Sequence, residues 1–395
     1  MPEILADAAL PMEKIGAFLR ARERRTLLCI GPMSRICIEA AAAIADRFSF
    51  PAILIASRRQ VDAAAQGGGY VEGFDTETFA NYVRSLESPN LFLARDHGGP
   101  WQGRRELEEE LPVEEAMLSA KQSFEEDIDA GFDFLHLDPS VPIRGEDLTL
   151  ETILDRLFDL YAHCDDYARK RGREIRFELG TEEQDGYGQD LERFQYFLDR
   201  TASFCETERV TPPSFVVAQT YTKVIETRNI GGFADEAGEK AGRYCAHVRE
   251  LVRICEERGV LLKEHNADYL SNEALAFRPL LGVHASNVAP EFGVAETRAL
   301  LYLLAQEGLK KERDSFIDCA VSSGKWKKWM LPETGADDLH RAVIAGHYVF
   351  DTPVVRDIKA RLKTSLAKRA IDLDDVLRTC VRQSIMRYVL AYNLA

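Results

Sequence analysis

The sequence predicts an α/β fold, a (β/α)8 TIM barrel with a C-terminal helical extension. Three observations predict it: eight apolar runs, segments of helical character between them, and polar residues gathered where the runs end. The apolar runs cover residues 27–31, 52–56, 91–94, 132–138, 175–182, 215–221, 260–265 and 280–287. The helical segments include residues 36–45, 75–87, 113–130, 147–170, 190–205, 237–258 and 294–305. Strands that alternate with helices, with polar groups at the strand C-termini, are what such a barrel requires.

The individual segments have local signals of their own. A polar helical segment at residues 13–25 precedes the first run, and we expect it to be a lid helix. Residues 36–45 are rich in alanine and follow Ser34, a residue type that caps helices, so a helix is predicted there. Residues 91–94 are apolar without helical spacing, which indicates a strand buried on both faces.

An open, doubly wound sheet is the competing architecture. That fold carries a glycine-rich phosphate-binding turn after its first strand. The corresponding segment here is Gly31-Pro-Met-Ser34, which does not have that pattern. The barrel is therefore preferred.

The composition changes after the predicted eighth helix. We expect residues 1–309 to form the barrel and residues 310–395 to form a helical extension packed against it, with helices near 355–367 and 374–388. Trp326 and Trp329 flank a basic pair in this extension, and they are candidates for an apolar interface surface.

Composition and charge exclude some classes of protein. The chain has 395 residues, of which 46% are hydrophobic, and its formal net charge is −15. This balance argues against nucleic acid and anionic lipid as partners. No apolar stretch approaches the roughly 20 residues that span a bilayer, and the first residues lack a signal-peptide pattern. We therefore expect a cytoplasmic protein with no membrane partner.

The eight cysteines are widely spaced and include no CxxC pair. In a chain of this size they are expected to be reduced and mostly buried, rather than a disulfide framework or a zinc knuckle.

Polar residues at the predicted strand ends define the candidate site. They are Gln60, Asp96, His97, His136, Asp138, Glu178, Glu182, Gln219, Glu264, His265, Asp268, His284 and Asn287. Four of the eight histidines of the chain belong to this set. Imidazoles and carboxylates that converge in a cavity are the ligands of a catalytic divalent ion, which needs about three of them. His97, His265 and either Glu182 or His284 are the candidates to supply them.

A metal beside further carboxylates suggests chemistry at a sugar carbonyl or hydroxyl, with a carboxylate moving the proton. Aldol cleavage, epimerisation and isomerisation all fit. Taken singly, each residue also has a structural interpretation: His136 and His284 as packed core residues, Asp138 and Asp268 as loop caps, and Glu264 as a partner of Lys263 or an outward-facing group. The whole set favours a site.

An ordered series of motifs resembles the tagatose-bisphosphate aldolase Z-subunit family. The motifs are Gln60-Val61, Gly68-Gly69-Tyr70, Asp96-His97 with Gly99-Pro100, His136-Leu137-Asp138, Gly180-Thr181-Glu182, Gln219, and His265 with Asp268-Tyr269. The resemblance covers roughly residues 25 to 305, and the stretch from 347 to 373 also looks like the C-terminal region of that family. It implies a class II aldolase-type barrel, in either an accessory subunit of an aldolase or a ketose C4 epimerase.

A more distant similarity to class II fructose-bisphosphate aldolases implies residue roles. Asp96-His97-Gly98 resembles their strand with an acid next to a metal ligand, and residues 178–180 with 182–186 resemble their carboxylate-bearing strand and loop. The similarity implies that His97 and His265 bind metal, that Asp96 transfers a proton, and that Glu182 is a base or a further ligand.

Together these patterns give the site we expect. Its catalytic candidates are Asp96, Asp138 and Glu182; its metal ligands are His97, His265, Glu182 and His284, with zinc preferred over manganese or another divalent ion; its substrate-binding candidates are Gln60, His136, Gln219, Asp268 and Asn287. The expected function is retro-aldol and aldol chemistry on a ketose or ketose phosphate. The alternative is a non-catalytic partner of an aldolase subunit, and a homo-oligomer is also possible.

Two segments depart from the family pattern. His284 stands in the predicted eighth strand, where an apolar run and a lysine are usual, and it is a candidate to complete the metal site. Arg58 and Arg59 replace smaller residues after the second strand, and either is a candidate to meet an anionic group.

Overall fold

The computed structural model describes residues 11–20, 24–143, 146–180, 187–233, 239–331 and 333–395. In these residues, eight parallel strands close into a barrel in the order β1-β10-β9-β6-β5-β4-β3-β2, and β7 and β8 form a separate antiparallel hairpin. The strands are β1 (Leu27–Ile30), β2 (Ala52–Ser57), β3 (Leu91–Gly98), β4 (Phe134–Leu137), β5 (Arg176–Leu179), β6 (Phe215–Val217), β7 (Val224–Ile225), β8 (Arg228–Asn229), β9 (Leu261–Glu264) and β10 (Ala285–Val288). The predicted barrel is confirmed.

Helices surround the barrel and form the extension. In the described part of the chain they are α1 (Pro11–Leu19), α2 (Arg35–Phe48), α3 (Thr76–Ser85), α4 (Arg104–Glu108), α5 (Val113–Ala130), α6 (Leu150–Arg171), α7 (Leu191–Glu208), α8 (Glu239–Glu257), α9 (Asn272–Leu281), α10 (Pro290–Gln306), α11 (Lys310–Ser322), α12 (Asp338–Ala345), α13 (Pro353–Ala367) and α14 (Leu373–Ala391). Short 3-10 helices cover Ala64–Gln66, Lys327–Trp329 and Gly346–Val349. The predicted cap of α2 is present, because the Cys37 amide donates to the Ser34 side chain.

Alternation along the strands creates two hydrophobic layers. One set of residues fills the barrel interior: Leu27, Cys29, Ile53, Ile55, Phe92, Ala94, Phe134, Phe215 and Ala285. Their neighbours in sequence, such as Leu28, Leu54 and Leu135, pack under the surrounding helices. Both faces of each strand are therefore buried, which explains why the strands read as continuous apolar runs.

Helix α1 closes the N-terminal end of the barrel. Ile15 is fully buried and belongs to the interior cluster, with Phe18 packed against it. Lys14 Nζ donates to the carbonyl of Pro89, just before β3. The predicted lid helix therefore covers the end of the barrel opposite the strand C-termini, where its apolar face fills the opening.

The extension packs on the side of the barrel. Helix α14 lies against α2 and α10, and its residues share one continuous core with them. Arg378 makes an ion pair of 2.5 Å with Glu39 of α2, and the Thr26 amide donates to the carbonyl of Tyr392 at 3.3 Å. The C-terminal helices thus complete the outer layer between the first and last barrel helices.

The eighth barrel strand starts later than the sequence suggested. Leu280 and Leu281 form the last turn of α9, a helix that contains Pro279, and Gly282 ends it with a φ of 86°. The apolar pair resembles the start of a strand in the sequence, because a ten-residue helix with an internal proline gives a weak helical signal. His284 consequently precedes β10 and lies at the N-terminal end of the barrel.

A carboxyl group at this same end gives a pH-dependent prediction. Burial raises the pKa of Asp133 to about 6, although the Leu93 amide, which donates to it at 2.7 Å, and Arg84 oppose the shift. The folded state therefore takes up a proton that the unfolded state has lost, so stability falls as pH rises from about 4 to about 6.

We expect Asp133→Asn to be more stable than the wild-type protein at pH 8, by about 2 kcal/mol, and to show no such gain near pH 4. Urea unfolding at both pH values measures the difference. The exposed Asp314→Asn variant of α11 is the control. An equal effect of Asp133→Asn at both pH values would contradict the prediction.

Candidate metal centre and cavity

The irregular end of β3 brings two successive side chains, Asp96 and His97, to the barrel mouth. The pairing of β3 with β4 shifts in register between Arg95 and Gly98, and His97 has a φ of 44°. A non-glycine residue in this left-handed region costs about 1–3 kcal/mol, and such residues cluster at functional sites. His97 itself, rather than the glycines that follow it, makes this turn.

Four side chains surround one point at the floor of the mouth, three from neighbouring strands and one from across β6. They are Asp96 of β3, His136 of β4, Glu178 of β5 and His265, directly after β9, and their ligand atoms all lie within 4.8 Å of one another. Glu178 Oε1 is 3.5 Å from His265 Nε2 and 3.7 Å from His136 Nδ1. Asp96 Oδ1 is 3.9 Å and 3.7 Å from the same two nitrogens. We call these four residues the acid–imidazole cluster.

A buried lysine sets the charge of this cluster from below. Lys263 Nζ donates to Glu178 Oε2 at 2.6 Å, and both side chains are 1% exposed. Burial would raise the pKa of Glu178, but Lys263 and two imidazoles lower it to about 2. Burial also opposes ionisation of Asp96, and three imidazoles nevertheless hold its pKa well below the usual range. Both carboxylates are anionic at neutral pH.

His97 borders the cluster and is oriented by Asp138. Its Nδ1 lies 2.6 Å from Asp138 Oδ2, which also accepts from Gln102 Nε2 at 2.8 Å, and the Ser140 amide donates to the other oxygen. Burial lowers the pKa of His97, but Asp96 and Asp138 outweigh burial and raise it. Burial raises the pKa of Asp138, and His97 reverses this and brings it to about 2. Nε2 is then the His97 nitrogen on the Asp96 side, 4.0 Å from Oδ2.

The hairpin β7–β8 supports the segment that carries His265. Thr222 Oγ1 donates to the His265 carbonyl at 2.7 Å. Asn229 Nδ2 donates to the carbonyls of Asn266 and Asp268 at 2.8 and 3.0 Å. These bonds fix the backbone after β9, so the His265 ring is held 4.9 Å from that of His97.

The acid–imidazole cluster has the composition of a divalent-metal site. Two carboxylates and two imidazoles suit zinc or manganese. Glu178 Oε1 is buried and has no hydrogen-bond partner in the described residues, as expected of a ligand atom that faces a cation. His136 fits less well, because its Nδ1 accepts the His97 amide at 3.2 Å. The residues present therefore fit a metal, with His97 Nε2 as a further candidate ligand.

A cavity of about 420 Å³ opens above the cluster, a size typical of small-molecule sites. Barrel residues in its wall include Asp96, His97, Asp138, His265 and Asn287. The extension contributes Lys328, Trp329 and Tyr348. The C-terminal region therefore forms part of the wall of this cavity.

Comparison with known families assigns the chain. The model of the D-tagatose-1,6-bisphosphate aldolase subunit GatZ/KbaZ-like family matches residues 12–306. The chain belongs to this family. The predicted resemblance is confirmed, and the match includes every residue of the acid–imidazole cluster.

Solved structures share the fold of this family member. A probable tagatose 6-phosphate kinase from Sinorhizobium meliloti 1021 has a TM-score of 0.75 at 20% identity, over 93% of this chain and 100% of that chain. A fructose-bisphosphate aldolase from Campylobacter jejuni has a TM-score of 0.57 at 11% identity, over 98% and 95%. A glycerol complex of a fructuronate-tagaturonate epimerase from Cohnella laeviribosi has a TM-score of 0.56 at 11% identity, over 94% and 82%. At these identities the likeness establishes the fold alone.

Two other comparisons were negative. No curated protein sequence matched the chain. None of the helices in the described ranges combines the length and the apolar character needed to cross a membrane.

The structure brings some of the predicted site residues of this family member together and separates others. Asp96, His97, His136, Asp138, His265 and Asn287 meet at the mouth, and Asn287 Nδ2 donates to Asp96 Oδ1 at 3.2 Å. Glu182 lies outside the described residues. Gln219 is not among the residues that line the described cavity; its backbone pairs with Gln189.

The placement of His284 is a correction, whereas Glu264 takes the outward position that its structural interpretation allowed. The predicted metal ligand His284 lies before β10; its Nδ1 accepts the Leu262 amide at 3.0 Å, and its Nε2 is 3.7 Å from Glu256. It lies far from the cluster because it directly precedes β10, at the N-terminal end of the barrel. Glu264 points outward from the barrel, where it accepts from Arg278 and from Ser286 Oγ.

Two predicted substrate-binding residues line the cavity but have structural partners. Gln60 Oε1 accepts the amide and hydroxyl of Ser57 at 2.9 and 3.0 Å. Asp268 Oδ1 accepts the amides of Ala289 and Glu291, so it caps α10, as the structural interpretation of this residue anticipated.

Expectations for other polar and aromatic residues are also resolved. Arg58 is buried and paired with Asp62 at 3.1 Å and Glu106 at 2.5 Å, so it does not meet a ligand, whereas Arg59 lines the cavity. Trp326 and Trp329 are each half-buried, and their indole nitrogens donate to the Val321 carbonyl and the Tyr348 hydroxyl. The eight cysteines are free, and six of them are buried.

Sequence reasoning missed Glu178 as a ligand and Lys263 as the partner of Glu178. A signal for Glu178 is its central position in an apolar run, which matches the position of His136 in the run before it. These runs become neighbouring strands, and the structure pairs the two residues in register. A signal for Lys263 is its position two residues before His265, because alternate strand residues face the same side. Gln102 and Ser140, which bond Asp138, lie in loops and carry no such signal.

Proposed function

We propose that the chain is a metal-dependent carbohydrate enzyme that acts on a ketose or ketose phosphate by aldol chemistry, as a tagatose-type C4 epimerase or as an aldolase. The observation that carries this proposal is the acid–imidazole cluster at the floor of a cavity sized for a small molecule. Membership of a family of aldolase subunits supports the substrate class.

The ligands proposed for the metal are Glu178, His265 and His97, with zinc or manganese as the ion, and Asp96 is left to transfer a proton. Such an ion supplies Lewis acidity, which draws electron density from substrate oxygens. Lys263 keeps Glu178 ionised and oriented through Oε2, which leaves Oε1 toward the cluster. Asp138 holds His97 in the tautomer with its proton on Nδ1, an arrangement common around metal-binding histidines.

The proposed reaction starts with proton removal by a carboxylate. Asp96, which is ionised and 12% exposed toward the cavity, accepts the proton of the C4 hydroxyl. The C3–C4 bond then breaks, its electron pair moves toward the C2 carbonyl, and C4 becomes an aldehyde. Rotation of the aldehyde and re-addition, with return of the proton from Asp96, gives the C4 epimer. Alternatively, transfer of this proton to C3 of the enediolate, followed by release of both fragments, gives the aldolase outcome and restores the Asp96 carboxylate.

The experiment is incubation of the purified protein with fructose 6-phosphate and, separately, tagatose 6-phosphate, with and without added zinc or manganese. Interconversion of the two sugars supports an epimerase, and release of three-carbon products supports an aldolase. Asp96→Asn should be inactive in either case. Absence of turnover with every ketose and every metal would sink the enzyme proposal.

A second candidate is an accessory subunit without catalysis of its own, and the family description as a subunit favours it. In that case a second aldolase subunit should co-purify with the chain from its native source. The accessory role also predicts that aldolase activity of the complex survives Asp96→Asn, whereas the enzyme proposal predicts that the activity of this chain does not.

Asp138→Asn gives a test of how His97 is used. We expect turnover and divalent-ion affinity to fall about 10- to 100-fold, because the partner that orients His97 is weakened. The pKa of His97 should also fall, since Asp138 is one of the two carboxylates that raise it. Steady-state rates, ion titration and an NMR titration of His97 measure these effects.

The control is Asp147→Asn, an exposed change in the same loop between β4 and α6. It should leave all three quantities unchanged. Unaltered rates and an unaltered His97 titration in Asp138→Asn would show that this contact has no role in the site.

A further inference from the structure

Two exposed cations stand at the rim of the cavity. Arg59 follows β2, and Lys328 lies in the 3-10 helix Lys327–Trp329 of the extension; both line the cavity. No carboxylate of the described residues lies within 4.0 Å of either side chain. The barrel and the extension thus each contribute one basic side chain without an ion-pair partner in that part of the chain.

The aromatic wall of the cavity holds Lys328 in place. Its Nζ is 4.5 Å from the centre of the Trp329 ring and 5.8 Å from that of Tyr348. Trp329 Nε1 donates to the Tyr348 hydroxyl at 3.0 Å, and the Trp329 carbonyl accepts the Glu226 amide from the β7–β8 hairpin at 2.6 Å. The segment that carries Lys328 is therefore tied to the barrel.

Negative and positive charges are separated by depth in the cavity. The ionised carboxylates of its wall are largely buried, since the Asp96 and Asp138 side chains are 12% and 2% exposed. At the rim, burial lowers the pKa of Lys328 to about 7, with smaller contributions from Arg59 and Lys325. A bound anion beside Lys328 would favour its charged form and raise this pKa.

We propose that Arg59 and Lys328 form an anion-binding subsite that receives the phosphate or carboxylate of a ketose whose reacting carbons lie at the acid–imidazole cluster. This inference rests on the proposed function for its ligand class. An arginine offers paired donors to an oxyanion and a lysine a point charge, so both terminal groups share the required chemistry. The extension thereby contributes to substrate selection.

Calorimetric binding to the as-purified protein tests the subsite with three probes: fructose 6-phosphate, fructuronate and neutral fructose. We expect at least one anionic sugar to bind about tenfold or more tightly than fructose, and the tighter one identifies the terminal group. Arg59→Gln and Lys328→Gln should each remove about tenfold of that preference and leave fructose binding unchanged. Lys327→Gln is the matched control, because it changes a neighbouring exposed lysine that does not line the cavity.

The outcomes separate this inference from the proposed function. Loss of the anion preference in Arg59→Gln and Lys328→Gln, but not in Lys327→Gln, supports the subsite even if no ketose is turned over. Equal binding of all three sugars, binding of none, or an equal loss in the control overturns it, even if the enzyme is active. Thermal unfolding of each variant confirms that a loss does not come from misfolding.

Discussion

Glu178→Gln is expected to reduce divalent-ion affinity by more than about 100-fold and to reduce ketose turnover to background. Replacement of a partner of a metal ligand already costs about 10- to 100-fold, so replacement of a ligand should cost more. The change keeps the shape of the side chain and an oxygen that can accept from Lys263. It removes the charge that faces two imidazoles at 3.5 and 3.7 Å.

Ion titration and steady-state kinetics measure these effects. The matched control is Glu174→Gln, an exposed change just before β5 at the opposite end of the same strand. It should behave as the wild-type protein does. If Glu178→Gln binds the ion normally while remaining folded, Glu178 is not a ligand.

Asp127→Ala is expected to cause the largest loss of stability among the changes considered, about 3–5 kcal/mol. Arg95 of β3 and Asp127 of α5 form an ion pair of 2.5 Å with both side chains fully buried, and Arg95 also donates to the carbonyls of Ala56 and Val61. Removal of the carboxylate leaves the guanidinium buried without its anion. Because Arg95 directly precedes Asp96, turnover should fall as well.

The free energy of unfolding in urea measures this effect. Asp357→Ala is the control, because it breaks an exposed pair with Arg361 on α13, for which we expect less than about 0.5 kcal/mol. Comparable losses in the two variants would show that burial does not decide the contribution of this ion pair.

The barrel was predictable because its signals are local. Each strand is buried on both faces, so it appears as a short apolar run, and each run is followed by polar residues because the mouth gathers them. Where a local signal was ambiguous, the prediction failed. Leu280 and Leu281 extend a helix rather than begin a strand, and this single error moved His284 to the wrong end of the barrel.

The residue types of the site were predictable, but the positions of its members along the barrel axis were not. Asp96 and His265 were expected at one mouth, and they meet there. The sequence does not state that Glu178 faces inward at the level of His136, since that depends on strand register. Nor could the sequence predict that Lys328 lines the same cavity as Arg59, because the two residues are far apart in the chain.

The separation of charge in the cavity gives the C-terminal extension a role in the orientation of a substrate. Buried carboxylates and imidazoles lie at the floor, and unpaired cations lie at the rim. A sugar with an anionic end would be oriented by these opposite charges, with its reacting carbons placed at the cluster. Aldolase and epimerase chemistry share this requirement, because both need C3 and C4 held beside a base.

The most direct test of the proposed metal centre is anomalous diffraction from crystals grown with zinc. We expect one strong zinc peak per chain at the floor of the mouth, with Glu178 Oε1 and His265 Nε2 among its ligands at about 2.0–2.2 Å. Zinc bound only elsewhere on the molecule, or bound equally at this point in Glu178→Gln, would contradict it.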